Sequence, residues 1–140
     1  MPIQPQILEQ IAATVGEKLS FSACYIRFKG TTFVLVTVYL YHAEKLSERN
    51  TNILFQLNLL RKFLGLPLII FGDFNMLPEE LQESGWPDQL KAQIIKSNID
   101  STLKGVTGRN IDYFLITDNV HHIVNGIFPV HGAPWGPHIP

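Results

Sequence analysis

Apolar positions change their period several times along the chain, and each change predicts an element. Ile7, Ile11, Ala12, Val15 and Leu19 recur at three- and four-residue steps, which predicts an amphipathic helix over 5–19. Two runs rich in β-branched and aromatic residues follow, "FSACYIRFK" and "TFVLVTVYLY", joined at Lys29-Gly30-Thr31. That junction is a turn signal, so the pair reads as an antiparallel hairpin. The second run is apolar at nearly every position and is expected to be a central strand buried on both faces. Helical spacing returns at Ile53, Leu54, Leu57, Leu60, Phe63 and Leu64. Ser47 suits the N-cap of this helix, Glu48 its first turn, Arg61 and Lys62 its last turn, and Gly65 its C-terminal cap, with Pro67 barring continuation. "LPLIIF" is then a short buried strand, and strand–helix–strand is an α/β signature. Pro78-Glu79-Glu80-Leu81 reads as one helical turn. Residues 88–97 fit helix and strand equally, "IDYFLIT" (111–117) is a strand, and "HHIVNGIFPV" (121–130) is a strand weakened by Gly126.

Composition narrows the classes. A chain of 140 residues is one domain's length. Hydrophobic residues make up 46% and charged residues only 16%, so a core is affordable and apolar surface is left over. The net charge of −1, without runs of like charge, argues against binding nucleic acid through a broad basic face, but not against gripping phosphates through a metal ion. Cys24 is the sole cysteine, sits in a strand pattern and reads as a small core residue. The N-terminus lacks the basic start and apolar core of a signal peptide, and no apolar run spans a bilayer. The expectation is a soluble intracellular protein that does not enter membranes.

Chemistry concentrates in "LIIFGDFN" (68–75). A buried strand runs into Gly72, then presents Asp73 and Asn75 two positions apart. In α/β sheets the loops beyond strand carboxyl ends carry the chemistry. A carboxylate there can hold a metal or take a proton from water, and an amide can donate to a phosphoryl oxygen. Gly72 would let the chain turn tightly and admit a ligand. Asp and Asn are also ordinary turn formers, so the tetrad alone reads either way.

From Val34 onward the chain resembles the C-terminal half of the endonuclease/exonuclease/phosphatase superfamily, the apurinic endonuclease and DNase I-like enzymes. Four pieces match in order: "VTVYLY" with Tyr39, "IIFGDFN", "RNIDYFLIT" with Arg109, Asp112 and Tyr113, and "WGPHIP" with His138 and Pro140. The resemblance implies an α/β fold that is a partial two-sheet sandwich of the DNase I-like type, with antiparallel and mixed strands and flanking helices. It implies that Asp73 orients and deprotonates the attacking water or holds a metal, and that Asn75 contacts the scissile phosphate with Tyr39 beside it. His138 would donate to a phosphate oxygen as charge develops, and Asp112 would orient the His138 imidazole and favour its charged form. The implied cofactor is Mg²⁺ or Mn²⁺, and the implied partner is nucleic acid or another phosphoester substrate.

Two features depart from that pattern. Pro137 stands where the family has an acid before the histidine. Its side chain cannot ligate a metal, and it biases Gly136 toward extended backbone. The family's other half supplies an Asn and a Glu for the metal. Within 1–30, however, Glu9 and Glu17 fall on the predicted helix and neither residue type ends a strand. The expectation is a single truncated domain over 1–140 that holds its metal weakly. One sheet face would lack its partner, inviting self-association or a partner chain that supplies the missing half.

Other candidates are weaker. His42, His121, His122, His131 and His138 match neither a zinc finger nor an HExxH helix and read as surface or packing residues. Trp86 and Trp135 stand beside proline or glycine in predicted loops and read as caps on a core, and Trp135 would alternatively line a substrate cleft near His138. Arg109 would pair with phosphate or lie exposed before its strand. "ERN" (48–50) reads as a solvated helix start, and Gly105 and Gly108 fit no phosphate-binding loop. Two functions remain. One is a Mg²⁺-dependent phosphodiester hydrolase acting on nucleic acid. The other is a catalytically inactive truncated relative, acting as a binding or assembly module or persisting as a mobile-element remnant.

Overall fold

A strand–helix–strand unit at the centre organises the architecture. The computed structural model describes residues 1–28, 30–96 and 111–117. In chain order the elements are α1 (Pro5–Val15), β1 (Phe21–Phe28), β2 (Thr31–Tyr39), α2 (Glu48–Leu64), β3 (Leu68–Asp73), α3 (Pro78–Ser84), α4 (Trp86–Gln89), β4 (Ala92–Ile95) and β5 (Asp112–Thr117). The five strands form one sheet in the order β1-β2-β3-β5-β4. β2 and β3 are parallel, joined through α2, and every other pair is antiparallel.

The helix-side core explains most of the packing. Val34, Val36 and Val38 alternate along β2, Leu40 continues the pattern just past its end, and they meet Leu68 and Ile70 of β3 and Tyr113 and Leu115 of β5. Onto them pack Ile11 of α1, Ile53, Leu54, Leu57 and Leu60 of α2, and Leu81 of α3. Each fully buried aliphatic side chain contributes about 1.5–3 kcal/mol, so α2 is held by its stripe more than by helix propensity. Its ends behave as its sequence predicts. The Ser47 hydroxyl accepts from the Asn50 N–H at 3.3 Å, and Gly65 closes the helix in the left-handed region with φ 62°.

The second sheet face is different. Phe33, Ile69 and Ile116 are buried there, with Ile26, Leu35, Ile95 and Phe114 partly so, and all of these lie on strands. Every described helix adds its core side chains to the opposite face. Phe71 and Phe114 meet on this face with ring centroids 5.5 Å apart.

Several expectations need correction. The first helix ends at Val15 and not near 19, because Gly16 adopts φ 76° and its N–H returns to the Ala12 carbonyl, a left-handed stop. β2 is central but not buried on both faces, since Thr37 and Tyr39 are exposed beside their buried neighbours. Cys24 is half-buried, on the face away from the helices, and not a core residue. The Pro78 turn extends to Ser84, helped by the Glu80 carboxylate accepting the Leu77 N–H at 3.0 Å. Within the ambiguous 88–97 stretch the described residues, 88–96, hold the end of α4 followed by β4, and Trp86 begins α4, not a loop, and packs on the core. Lys29 of the expected turn and the strand expected at 121–130 lie outside the described residues. Among the described residues no helix is long and apolar enough to cross a membrane.

Candidate functional site

Parallel strands end on the same side, so β2 and β3 finish together, and β5, running the other way, begins beside them. Cα pairing sets Tyr39 opposite Asp73 and Asp73 opposite Asp112. One row thus crosses three strands. Side-chain alternation puts the row on the face to which no described helix packs, next to the row Thr37–Phe71–Phe114. Three of the expected site residues, far apart in sequence, are brought together by register alone. Arg109, Trp135 and His138 lie outside the described residues, so their expected roles are not addressed by the geometry.

The acid and the amide are held inside the strand end and not pushed out of it. Asp73 is 8% exposed and Asn75 5%, whereas Tyr39 is 59% exposed. Asp73 Oδ1 accepts the Asn75 N–H at 2.9 Å, a local turn that puts Asn75 in the left-handed region with φ 48°. Asparagine tolerates that conformation better than most side chains. Asn75 Nδ2 donates to the Leu40 carbonyl at 2.6 Å, and the Leu40 N–H donates to the Asp73 carbonyl at 2.9 Å. The end of β2 is therefore stapled to the end of β3 through both polar groups of Leu40.

Behind the row, Phe74 stacks on Tyr113 with centroids 4.4 Å apart, and the Phe74 N–H donates to the Ile111 carbonyl at 2.8 Å. The Tyr113 hydroxyl donates to the Met76 carbonyl at 3.1 Å. Burial, reinforced by the negative charges of Glu80, Glu79, Asp73 and Asp112, pushes the Tyr113 phenol well above its ordinary value, so it stays a neutral donor. These contacts clamp 74–76 to β5.

Gly72 serves a purpose other than the one its sequence suggests. With φ 156°, a Cβ there would come within 1.8 Å of the Val38 carbonyl oxygen. The neighbouring strand, and not a ligand, occupies the space a side chain would need.

Sequence reading missed the β2–α2 loop. Asn50, expected on a solvated helix start, is fully buried. Its Oδ1 accepts the Tyr41 N–H at 2.7 Å, and its Nδ2 donates to the Tyr41 and Lys45 carbonyls at 3.2 and 2.6 Å. Around this clamp the backbone of Ala43 and Lys45 takes positive φ, 60° and 44°. Arg49 pairs with Glu44 and lies 3.7 Å from the centroid of the Tyr41 ring. The hydrogen bond from Arg49 holds the Glu44 carboxyl below its usual range. His42 emerges from the loop with Nδ1 3.4 Å from Asn75 Oδ1. Polar residues in a helix's first turn usually face water, so no periodicity signals Asn50.

An open cleft of about 460 Å³ runs beside the row, lined by Ser20, Ser22, Thr37 and Tyr39 among others. Of the row, Tyr39 lines this cleft, and its side chain is exposed there. Among the described residues no group of three or more His, Cys, Asp or Glu side chains is arranged to hold a metal. Asp73 and Asp112 nevertheless provide hard carboxylate oxygens on adjacent strands. That donor type suits Mg²⁺, which takes one or two carboxylates and completes its shell with water and phosphate oxygens.

No protein-family model and no curated protein matches the chain. Solved structures do. The endonuclease domain of TRAS1, a telomere-specific non-LTR retrotransposon, superposes with a TM-score of 0.74 at 16% identity, over 97% of this chain and 62% of that domain. The human Nocturnin catalytic domain with bound sulfate gives 0.52 at 18% identity, over 70% of this chain and 40% of that one. A Staphylococcus aureus beta toxin mutant with bound magnesium ions gives 0.55 at 10% identity, over 88% of this chain and 56% of that one. The chain thus spans less than two thirds of each of these proteins. At such identities the likeness is one of fold, and the chain carries the DNase I-like α/β fold of the endonuclease/exonuclease/phosphatase superfamily that its motifs resemble.

Proposed function

We propose that this chain is a metal-dependent phosphodiester hydrolase, with nucleic acid as its substrate class. The observation that carries the reading is the row of Tyr39, Asp73 and Asp112 across three adjacent strands, with Asn75 bonded to Asp73 at its end. A retrotransposon endonuclease domain among the fold neighbours supports nucleic acid over other phosphoesters.

In this reading Asp73 holds Mg²⁺ or Mn²⁺, or orients the attacking water and takes its proton. When bound, the metal offsets the phosphate's negative charge. Asn75 has one Nδ2 hydrogen committed to the Leu40 carbonyl and offers the other to a phosphoryl oxygen. Tyr39 stands exposed beside that phosphate. Asp112 orients His138, which donates to a phosphate oxygen as charge develops. Arg109 and Trp135 contact substrate. Phosphoryl transfer depends chiefly on such positioned charge.

The test is supercoiled-plasmid nicking in Mg²⁺ and in EDTA, with Asp73→Asn beside the parent. Asparagine keeps the oxygen that accepts from Asn75 but loses the charge, so the fold is retained. The expected result is metal-dependent nicking that falls roughly 100-fold or more in the variant. Equal nicking by both proteins would defeat the assignment.

A second reading is favoured by the apolar sheet face to which no described helix packs. Under it the chain is a catalytically inactive, truncated relative serving as a binding or assembly module, or a mobile-element remnant. That face would meet a second copy or a chain that supplies further metal ligands. Pro137, in place of an acid, agrees with it.

A further inference from the structure

The strained β2–α2 loop has an end that the hydrolase reading leaves unused. Asn50 grips Tyr41 through both its backbone polar groups and also holds Lys45, with left-handed backbone at Ala43 between them. Strained backbone of this kind persists only where surrounding contacts over-determine it, and it concentrates at functional sites. What the loop delivers is His42, exposed to solvent and with Nδ1 beside Asn75.

The chemistry of the amide fixes the sense of that contact. A backbone carbonyl can only accept, so the Asn75 atom 2.6 Å from the Leu40 oxygen must be the nitrogen. The atom facing His42 is then Oδ1, an acceptor, and the imidazole must donate to it from Nδ1. The Leu40 carbonyl and the His42 N–H together leave the amide one orientation, with its second Nδ2 hydrogen committed to neither of them. With only one of the two partners, the amide can swing about its last torsion, which is broad for asparagine.

We infer that His42 is a positioning residue for Asn75: it holds the Nδ1–H tautomer, donates to Asn75 Oδ1, and thereby aims the Asn75 amide at a phosphoryl oxygen. The inference deepens the hydrolase reading, and its last clause rests on it. The hydrogen bond itself does not.

Two measurements on the full chain separate the two. The first is the tautomer of His42, read from long-range nitrogen–proton NMR spectra of the neutral imidazole and assigned by loss of the signal in His42→Phe. The parent should show Nδ1–H. Asn75→Gly, which tolerates the positive φ and removes the acceptor, should return the ring to Nε2–H. An Nε2–H ring in the parent, or one tautomer shared by both proteins, overturns the inference whether or not the chain cleaves anything.

The second is plasmid nicking. His42→Phe should lower kcat roughly 10- to 100-fold with KM little changed, as expected of a misaimed donor. His42→Asn, whose amide nitrogen reaches the place of Nδ1, should recover much of the loss. Full activity in His42→Phe overturns the aiming role. If Asp73→Asn nicks as well as the parent, the hydrolase reading fails instead, and the tautomer alone decides the positioning.

Discussion

Asp73 and Asn75 stood out in the sequence as an acid and an amide two positions apart at the end of a buried run, which reads as either turn or site, yet their partners did not stand out. Leu40 acts only through its backbone, and Asn50 looks like any polar residue in a first helical turn, so neither leaves a side-chain signature. Asn50 nevertheless satisfies one N–H and two carbonyls in a buried place. Asn50→Ala leaves three polar groups short of partners, and each such loss costs about 1–3 kcal/mol if water cannot reach it. The expected total is about 2–4 kcal/mol, because loosening of the loop readmits water to some of them. Urea unfolding would show a lower midpoint with an unchanged slope. Tyr113 carries a second prediction. Its raised phenol value means the folded state keeps a proton that the unfolded chain sheds above about pH 10. The unfolded state then binds fewer protons, so stability is full below that pH and falls as the pH rises through it. Tyr113→Phe should flatten that alkaline decline while lowering neutral-pH stability by about 1 kcal/mol through the lost bond to Met76. Denaturant midpoints from pH 7 to 11 for both proteins measure it.

Among the elements, those with a strong period were legible and those set by tertiary contact were not. Ile53, Leu54, Leu57 and Leu60 announce α2, and Ser47 and Gly65 bound it as capping chemistry requires. The hairpin and β3 follow from β-branched runs in the same way. β4 was ambiguous because four residues cannot display a period, and its strand state depends on pairing with β5. Gly72 was recognised, but its reason lay in another element. No local pattern reports that Val38 passes so close to it. Because the obstructing atom is backbone, no rotamer change makes room, and the strained φ adds to the overlap. Gly72→Ala should therefore destabilise by more than about 3 kcal/mol, or prevent folding. Thermal and urea unfolding would reveal it, and a variant as stable as the parent would mean that β2 and β3 can separate here without loss.

At the scale of the whole molecule, the two faces of the sheet have different histories in the sequence. On the helix side each apolar stripe has a partner stripe, so amphipathic patterning identified both layers. On the other face Leu35, Phe71 and Phe114 alternate with buried neighbours and are themselves only half-buried, and no described helix contributes to that side. The tyrosine–aspartate–aspartate row occupies the end of this same face. Whatever contacts the row must come from the side where the apolar surface lies, so substrate access and association compete for one region. The charged fraction of 16% leaves little charge to keep such a surface apart from another like it. If the face is an association surface, light scattering on the eluting protein should give a mass above that of the monomer, rising with concentration. Replacing Phe71 and Phe114 together by threonine keeps β-branched side chains in the strands while removing the aromatic pair, and should return the mass to the monomer's. A parent that stays monomeric at every concentration would remove the association reading and leave the face to the substrate.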